Sequence, residues 1–333
     1  MISLMFMILG IESTAHTFGV AVCDMDGKIL TNVKDSYSTE EGGMIPIDVR
    51  EHHEKVAPEL YERALNEAKI SEDKIVAIAF SNAPGISLCL LEGMKFSKKL
   101  SERLNVPIVC VNHCIAHLEI GEITGAKDPV LLYASGANTQ IIAYEAGRYR
   151  IFGETLDTGV GNFIDTFARY AGIGFPGGPK IQKLAESSEK KLIDLPYSIK
   201  GMDVAFSGIL TKLRRMLEKK EYSVEDLSYS LQETVFAMLV ESAERALAHT
   251  GKTELLLGGG VACNSRLREM CQKMCEERGA KYFCPDFQFL VDNAGMIAYS
   301  GLKMYNAGLF EKNLDKIDIA PRERTDDVDV IWR

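Results

Sequence analysis

The chain has 333 residues, of which 46% are hydrophobic, and it carries a formal net charge of −9 at pH 7. A chain of this length can bury a large core and suggests two domains. The acidic balance argues against a generally basic protein that coats nucleic acid, so any RNA binding has to be local or shared with a partner. Since no apolar run approaches the roughly 20 residues of a membrane span, we expect no membrane partner.

The start of the chain and its cysteines indicate a cytoplasmic protein. Residues 1–10 are apolar but lack a basic region, and Ile11 and Glu12 stand where a small-residue cleavage site belongs, so we expect no signal peptide. The eight cysteines include no CxxC pair. They are predicted to be buried thiols in a reducing compartment rather than a disulfide framework.

Two stretches repeat one pattern, an apolar three-stranded meander followed by helices. The meanders start at Ile8 and Val130 and continue with strands predicted over 18–23, 28–33, 140–144 and 149–156. Glycines in their turns, Gly27 and Gly147, are typical of hairpins. The repeat predicts an α/β protein of two similar domains facing a cleft. Short meanders are common, so chance similarity is the alternative.

Further elements follow from local signals. Helices are predicted over 51–69, from near Asn162, from Ser223 to Gly251, and over 264–278. Residues 223–226 resemble a capping box with aspartate in place of glutamate. Buried strands are predicted over 255–257 and 287–291.

His113 and His117 are four residues apart, directly after an apolar strand and at a predicted helix start. Residues i and i+4 share one helix face, about 5–6 Å apart between Cβ atoms, so the two imidazoles can share one metal ion. The alternative is a helix start that contains two histidines by chance. Only six histidines are present in the chain, which favours the metal site.

Asp292 lies at a predicted strand-to-helix junction, where a carboxylate is either an N-cap or a third metal ligand. Imidazoles with a carboxylate suit zinc or iron. A zinc peptidase of the HExxH type is disfavoured because Cys114 stands where the general-base glutamate belongs.

Glycine-rich and small polar turns are candidate phosphate contacts. The run 258–260 between strand and helix lets the backbone approach an anionic ligand, or is simply a tight turn. A dinucleotide fingerprint is rejected because Cys263 stands where it needs glycine. The turns 135–140 and 13–17 are either phosphate-contacting or ordinary polar hairpins. The loop 175–179 is either a structural corner or a wall for a planar ring.

Eight segments, taken together and in order, resemble one family over nearly the whole chain. It is the universal tRNA threonylcarbamoyladenosine transferase family, TsaD in bacteria, whose archaeal and eukaryotic members are catalytic subunits of the KEOPS complex. The segments are 9–17, 111–117, 133–140, 163–165, 176–179, 206–208, 258–264 and 292–296. The Asn-His-Cys-Ile-Ala-His form at residues 112–117 resembles archaeal or eukaryotic members.

The resemblance implies the duplicated actin-like (ASKHA, ribonuclease H-like) two-domain fold with a central cleft. We therefore expect a first domain over 1–128, with 300–333 as a candidate completion of it, and a second domain over 129–299. This fold agrees with the repeated meander.

The resemblance also implies the ligands. One divalent metal, iron or zinc, would be bound by His113, His117 and Asp292, with Tyr133 as a further contact in some members. An adenylate or ATP ligand in the cleft would contact Tyr133, Ala134, Ser135, Gly136, Ala137, Asp165, Gly178, Gln182, Gly259, Gly260 and Asn264. Gln182 replaces a frequent glutamate and lacks its charge, and Ala137 replaces a common glycine.

The implied reaction transfers the threonylcarbamoyl group from threonylcarbamoyl-AMP to N6 of the adenosine beside the tRNA anticodon, forming t6A. No nucleophilic serine or cysteine is required. Glu12 and His16 are candidates for the group that removes the N6 proton.

The implied partners are tRNA, a small dimerising KEOPS subunit and a small kinase subunit. Some archaeal relatives carry the kinase fused to the transferase, and residues 322–330 are a candidate junction to such a kinase.

Other functions fit parts of this pattern. Actin-like folds also include ATPases and phosphotransferases, and a nucleotide-binding scaffold subunit would share the same loops. A metallopeptidase is the third alternative function and the least favoured.

Residues 180–220 hold ten basic and five acidic side chains, a local charge balance of +5. This strip is either a solvated surface or a contact for tRNA phosphates.

Overall fold

The computed structural model describes residues 6–39 and 44–333. Residues 1–5, part of the start for which we expect no signal peptide, lie outside this range. Contacts divide the chain into two compact units, one of Met1–Ile120 with Asp292–Arg333 and one of Gly121–Val291. The domain limits expected from the sequence remain a prediction.

Strands and helices are interspersed along the described chain. The strands are β1 Met7–Glu12, β2 Thr17–Asp24, β3 Ile29–Ser36, β4 Ile75–Ala83, β5 Ile108–Asn112, β6 Val130–Ala134, β7 Thr139–Glu145, β8 Arg148–Glu154, β9 Ile199–Lys200, β10 Asp203–Val204, β11 Glu254–Gly258 and β12 Lys281–Phe283. The helices are α1 Pro46–Ala68, α2 Ser87–Leu104, α3 His113–Glu119, α4 Val160–Tyr170, α5 Gly178–Glu186, α6 Ser207–Lys219, α7 Val224–Thr250, α8 Ser265–Arg278, α9 Phe287–Leu290 and α10 Ala294–Asn306.

Each unit contains a five-stranded sheet with the same topology. In the first unit the order is β3-β2-β1-β4-β5, with an antiparallel meander of three strands and two further strands parallel to β1. In the second unit the order is β12-β11-β6-β7-β8, with β6 in the place of β1. The repeated meander predicted from the sequence is confirmed.

The two faces of the first sheet follow from the alternation of side chains along β1. Leu9 and Ile11 are fully buried in a cluster with residues of α1 and α2. Gly10 points the other way, where a Cβ would overlap the Ala294 backbone and lie 2.7 Å from the Ala298 nitrogen. The absence of a side chain therefore allows α10 to lie directly on the sheet.

The second unit is organised around the long helix α7. The Ser223 side chain accepts a hydrogen bond from the Asp226 nitrogen, and Gly251, with φ of 70°, ends the helix. Leu231, Val235 and Leu239 are buried in the same cluster as residues of β6 and β11. The predicted N-cap and glycine stop of this helix are confirmed.

One local prediction is wrong. Residues 287–291 do not form a strand; Phe287–Leu290 is a short helix. The buried residues are neighbours, Phe289 and Leu290, while Phe287 is exposed, which is the burial of a helical turn rather than an alternating strand. The helix predicted over 264–278 is confirmed as α8 with Asn264 as its N-cap, and a 3₁₀ turn over Gly260–Cys263 precedes it.

The eight cysteines are all free thiols, as predicted. Burial raises the pKa of Cys23 and of Cys89 to about 12, so both are unreactive at neutral pH. Among the described residues, no helix combines the length and apolar character that a membrane crossing requires.

Candidate active site

The histidine helix α3 begins directly at the end of β5. Asn112, the last strand residue, caps it: its side-chain oxygen accepts hydrogen bonds from the nitrogens of Cys114 (3.0 Å) and Ile115 (3.2 Å). This cap fixes the first turn, so that His113 and His117 are both buried and their ring centroids lie 4.7 Å apart. The predicted helix start is confirmed.

Asp292 lies beside both imidazoles, although it is far away in the sequence. Its Oδ1 is 3.3 Å from His113 Nε2 and 3.8 Å from His117 Nε2. One ligand atom from each of the three residues lies within 4.8 Å of the other two. Two imidazoles and one carboxylate are the donors that zinc and non-haem iron prefer, so this group fits the implied metal.

The pKa values of the three groups depend on one another's charges and on burial. Burial by itself would lower the pKa of His113, but the carboxylates of Glu12 and Asp292 outweigh burial and hold that pKa well above its usual value. Burial opposes ionisation of Asp292 as well, yet the two imidazoles hold its pKa well below the usual range. Burial lowers the pKa of His117, which favours the neutral imidazole that a metal needs.

Glu12, a candidate base, is fully buried and already engaged. One carboxylate oxygen accepts hydrogen bonds from the nitrogen (2.7 Å) and hydroxyl (2.5 Å) of Thr14, and the other lies 3.0 Å from His113 Nδ1. A carboxylate on the far nitrogen of an imidazole orients the ring and sets its tautomer. Here it turns His113 Nε2 towards Asp292. His16 lies half-buried in the following turn.

That turn is held by a histidine that the sequence did not single out. His53 in α1 is fully buried, and its Nε2 donates to the Ala15 carbonyl at 2.9 Å. Its Nδ1 lies 3.3 Å from His52 Nδ1, and His52 Nε2 lies 2.7 Å from Asp35. His52 and His53 are adjacent in the sequence, but nothing local indicates which of them faces the turn.

This buried histidine predicts a pH dependence of stability. Burial lowers the pKa of His53 to about 4, below the value near 6.5 expected in the unfolded chain. The unfolded chain therefore binds the proton first, and the free energy of unfolding falls by up to about 3 kcal/mol as the pH drops from 6.5 to 4. His53→Gln, which keeps a donor for Ala15, should flatten this part of the dependence in urea unfolding across that range. If the free energy of unfolding of His53→Gln fell with pH as steeply as that of the parent chain, this pH dependence could not be assigned to His53.

Residues of α10 and of the chain that follows it brace the histidine helix at both ends. At its start, the Asn112 amide donates to Glu323 at 2.9 Å. At its end, the buried Glu119 accepts from Trp332 Nε1 at 2.7 Å and pairs with Lys303 at 3.1 Å. No local pattern indicated these contacts, and the single tryptophan of the chain was the available signal.

In the second unit, glycines bring the candidate adenylate loops together. A Cβ on Gly259, whose φ is 86°, would overlap the Ala134 carbonyl oxygen, and one on Gly161 would lie 2.7 Å from the Gly136 Cα. The turn after β6 is therefore packed between the glycine run and the start of α4. Gly136 and Ala137 themselves are exposed at its tip.

Other predicted contacts shape the neighbouring loops. The carboxylate of Asp165 accepts from the Gly177 nitrogen at 2.7 Å and so holds the loop before α5. Asn264 caps α8, and its amide donates to Gln232 at 2.9 Å. The Gln182 amide donates to Ser265 at 3.0 Å. A Cβ on Gly178 would meet nothing within 4 Å, so a ligand has room there.

Tyr133, suggested as a further metal contact, belongs to the second unit. It is buried at the end of β6, where it pairs in register with Gly258 of β11. Its roles towards a metal or an adenylate remain predictions, as do the individual roles of the other candidate site residues.

The fold places the protein in the actin-like class. The chain is similar to full-length HypF in its phosphate- and nucleotide-bound form, with a TM-score of 0.62 and 12% identity, over 92% of this chain and 56% of that one. It is also similar to the activator of 2-hydroxyisocaproyl-CoA dehydratase from Clostridium difficile, with a TM-score of 0.53 and 11% identity, over 91% and 98% of the two chains. At these identities the likeness shows the fold alone.

The sequence comparisons define the family. The family model described as TsaD, tRNA N6-adenosine threonylcarbamoyltransferase, matches residues 28–299. The tRNA N6-adenosine threonylcarbamoyltransferase of Thermococcus sibiricus is 52% identical over 324 residues, covering 97% of this chain and 99% of the relative. The chain belongs to the tRNA N6-adenosine threonylcarbamoyltransferase family.

Some relatives are longer. A probable bifunctional tRNA threonylcarbamoyladenosine biosynthesis protein of Methanosarcina acetivorans is 50% identical over 329 residues, which cover 98% of this chain but 59% of the relative. The similarity therefore extends over only part of this longer relative.

Proposed function

We propose that this protein transfers the threonylcarbamoyl group of threonylcarbamoyl-AMP to N6 of the adenosine beside the anticodon in tRNA. The observation that carries the proposal is the similarity to transferases of this name over nearly the full length of both chains. The buried His113–His117–Asp292 group supports it, because it offers a donor set that an ATPase of this fold does not need.

The metal that this group would hold is zinc or iron. When bound, it would act as a Lewis acid that polarises the group being transferred. Glu12 contributes by fixing the ring of His113, and Asn112 by fixing the first turn of α3. Glu12 is therefore better suited to orient a ligand than to move a proton, which leaves His16 as the stronger candidate for the base.

The adenylate would lie against the turn after β6, the glycine run and the start of α5. Backbone nitrogens at Gly136, Ala137, Gly259 and Gly260 are suited to the phosphate, and Gln182 to a ribose hydroxyl. The Ser135 nitrogen instead holds the turn by donating to the Asn138 carbonyl at 2.8 Å. In the reaction, N6 forms a bond to the carbamoyl carbon and the bond from that carbon to the phosphate oxygen breaks. AMP leaves with that electron pair, and N6 loses a proton.

The decisive experiment is threonylcarbamoyl transfer to unmodified tRNA, with and without partner subunits, followed by nucleoside analysis. We expect t6A to form from threonylcarbamoyl-AMP. Fast ATP turnover without tRNA and without t6A would favour a phosphotransferase instead. Full modification by a reconstituted complex that carries His117→Ala would favour a non-catalytic nucleotide-binding scaffold.

The proposed setting is a cytoplasmic KEOPS-like complex. Its other members would be a small dimerising subunit and a small kinase. The bifunctional relative, whose length exceeds the matched region, supports a partner that is fused in some organisms.

The basic strip of residues 180–220 is proposed to contact tRNA phosphates. Arg214 and Arg215 are exposed on α6, and Lys212 pairs with the exposed Asp194 at 3.3 Å. Reversing all three to glutamate should weaken tRNA binding at least tenfold and lower the salt slope by roughly one per lost phosphate contact. Binding measured over a salt series tests this, with the exposed Lys273→Glu as the control. An unaltered dissociation constant at low salt would mean that partner subunits supply the basic surface.

A further inference from the structure

A second concave site lies in the second unit, at the far end of α4 from the adenylate loops. It is a cavity of about 480 Å³ between the end of α4, the last turns of α6 and the residues that lead into α7. We call it the Tyr170 pocket; its main lining residues are Tyr170, Ala171, Arg214, Leu217, Lys220 and Tyr222. None of these residues is among the candidate adenylate or metal contacts.

The pocket combines exposed aromatic rings with cations. Tyr170 and Tyr222 are 40% and 36% exposed, so both rings are accessible from the cavity. The Arg214 guanidinium lies 5.2 Å from the centroid of the Tyr170 ring. Arg169 approaches the same ring at 6.0 Å, and Lys191 lies 5.8 Å from the Tyr222 ring. Both aromatic rings are therefore accompanied by positive charge.

The acidic group in this cavity does not cancel its basic character. Glu218 pairs with Arg214 at 2.8 Å, but both side chains are more than half exposed. An exposed pair at positions i and i+4 on a helix is only weakly stabilising. A phosphate, with more charge and more acceptor oxygens, can therefore replace the Glu218 carboxylate on Arg214.

This chemistry is suited to a nucleotide of single-stranded RNA. Bases stack on tyrosine rings and arginine planes without regard to sequence, while cations hold the adjoining phosphates. A volume of about 480 Å³ is in the range of small-molecule pockets. An acidic peptide would use the cations but would leave two exposed aromatic rings without a planar partner.

We infer that the Tyr170 pocket binds a nucleotide of the tRNA anticodon loop that flanks the modified adenosine. Tyr170 ends α4, whose first turn packs against the turn after β6 at Gly136, so the pocket and the adenylate loops lie at opposite ends of one helix about 16 Å long. The base stacks against the tyrosines, and its phosphate pairs with Arg214 and Lys220. The inference rests on the proposed function and gives the RNA an anchor beyond the reacting base.

The test compares variants that remove or retain the aromatic rings. Tyr170→Leu and Tyr222→Leu should each raise the dissociation constant of the full chain for an unmodified tRNA transcript about five- to tenfold, both alone and in the reconstituted complex. Tyr170→Phe, which keeps the ring, should stay within about twofold. ATP affinity should not change in any of them, which shows that the unit remains folded.

A Tyr170→Trp variant gives a direct signal. Its fluorescence should be quenched by the tRNA transcript beyond the response of the parent chain, in which Trp332 is the single tryptophan. Equal tRNA affinity in the leucine and phenylalanine variants, with no added quenching, would overturn the inference. Loss of partner-subunit binding alone would assign the pocket to a protein. If the parent chain binds tRNA through these rings but makes no t6A, the proposed function fails and the pocket stands.

Discussion

Replacing His113 or His117 with alanine is expected to remove the bound metal and abolish threonylcarbamoyl transfer, while the chain stays folded. Each variant leaves two of the three donors, and the lost imidazole cannot be replaced by a neighbour because both sites are buried. We expect metal affinity to fall by at least about 100-fold, since even loss of residues that only orient ligands costs 10–100-fold.

Metal content of the purified variants, measured by mass spectrometry, checks this result. His249→Ala is a suitable control, because His249 is an exposed histidine on α7 of the other unit. Asp292→Asn, which keeps the shape of the side chain, should lose metal as well. Unchanged metal content in His113→Ala would contradict the assignment of the site.

Gly259→Ala is expected to abolish nucleotide binding and to destabilise the protein by about 3 kcal/mol or more. Two costs act together: its φ of 86° is strained for any residue with a Cβ, and the new Cβ would overlap the Ala134 carbonyl oxygen. Relief of the overlap has to move the turn after β6, which is the proposed phosphate contact.

Gly279→Ala separates these two costs. Gly279 also has a positive φ, 67°, at the end of α8, but a Cβ there would meet nothing within 4 Å. It should therefore lose about 1 kcal/mol and bind nucleotide normally. Thermal unfolding and calorimetric titration with a non-hydrolysable ATP analogue measure both effects. Equal losses of stability and of nucleotide affinity in Gly259→Ala and Gly279→Ala would show that the close approach of Gly259 to Ala134 affects neither property.

The sequence alone determined the features that depend on nearby residues. The two meanders, the capped helix α7 and the start of α3 follow from alternation, caps and glycine stops within a few residues of one another. The two histidines share a face because the helical repeat requires it. Family resemblance, carried by short motifs in order, extended these local patterns to the fold and to the reaction.

Only the tertiary structure decided which distant residues meet. Asp292 reaches the imidazoles because α10, packed on the sheet at Gly10, begins beside α3, and no local pattern expresses that packing. The bonds from Glu12 to His113 and from Trp332 to Glu119 join residues more than 100 positions apart. The error at 287–291 has the same origin: a short apolar run is compatible with a strand or a helix, and only its packing partners choose between them.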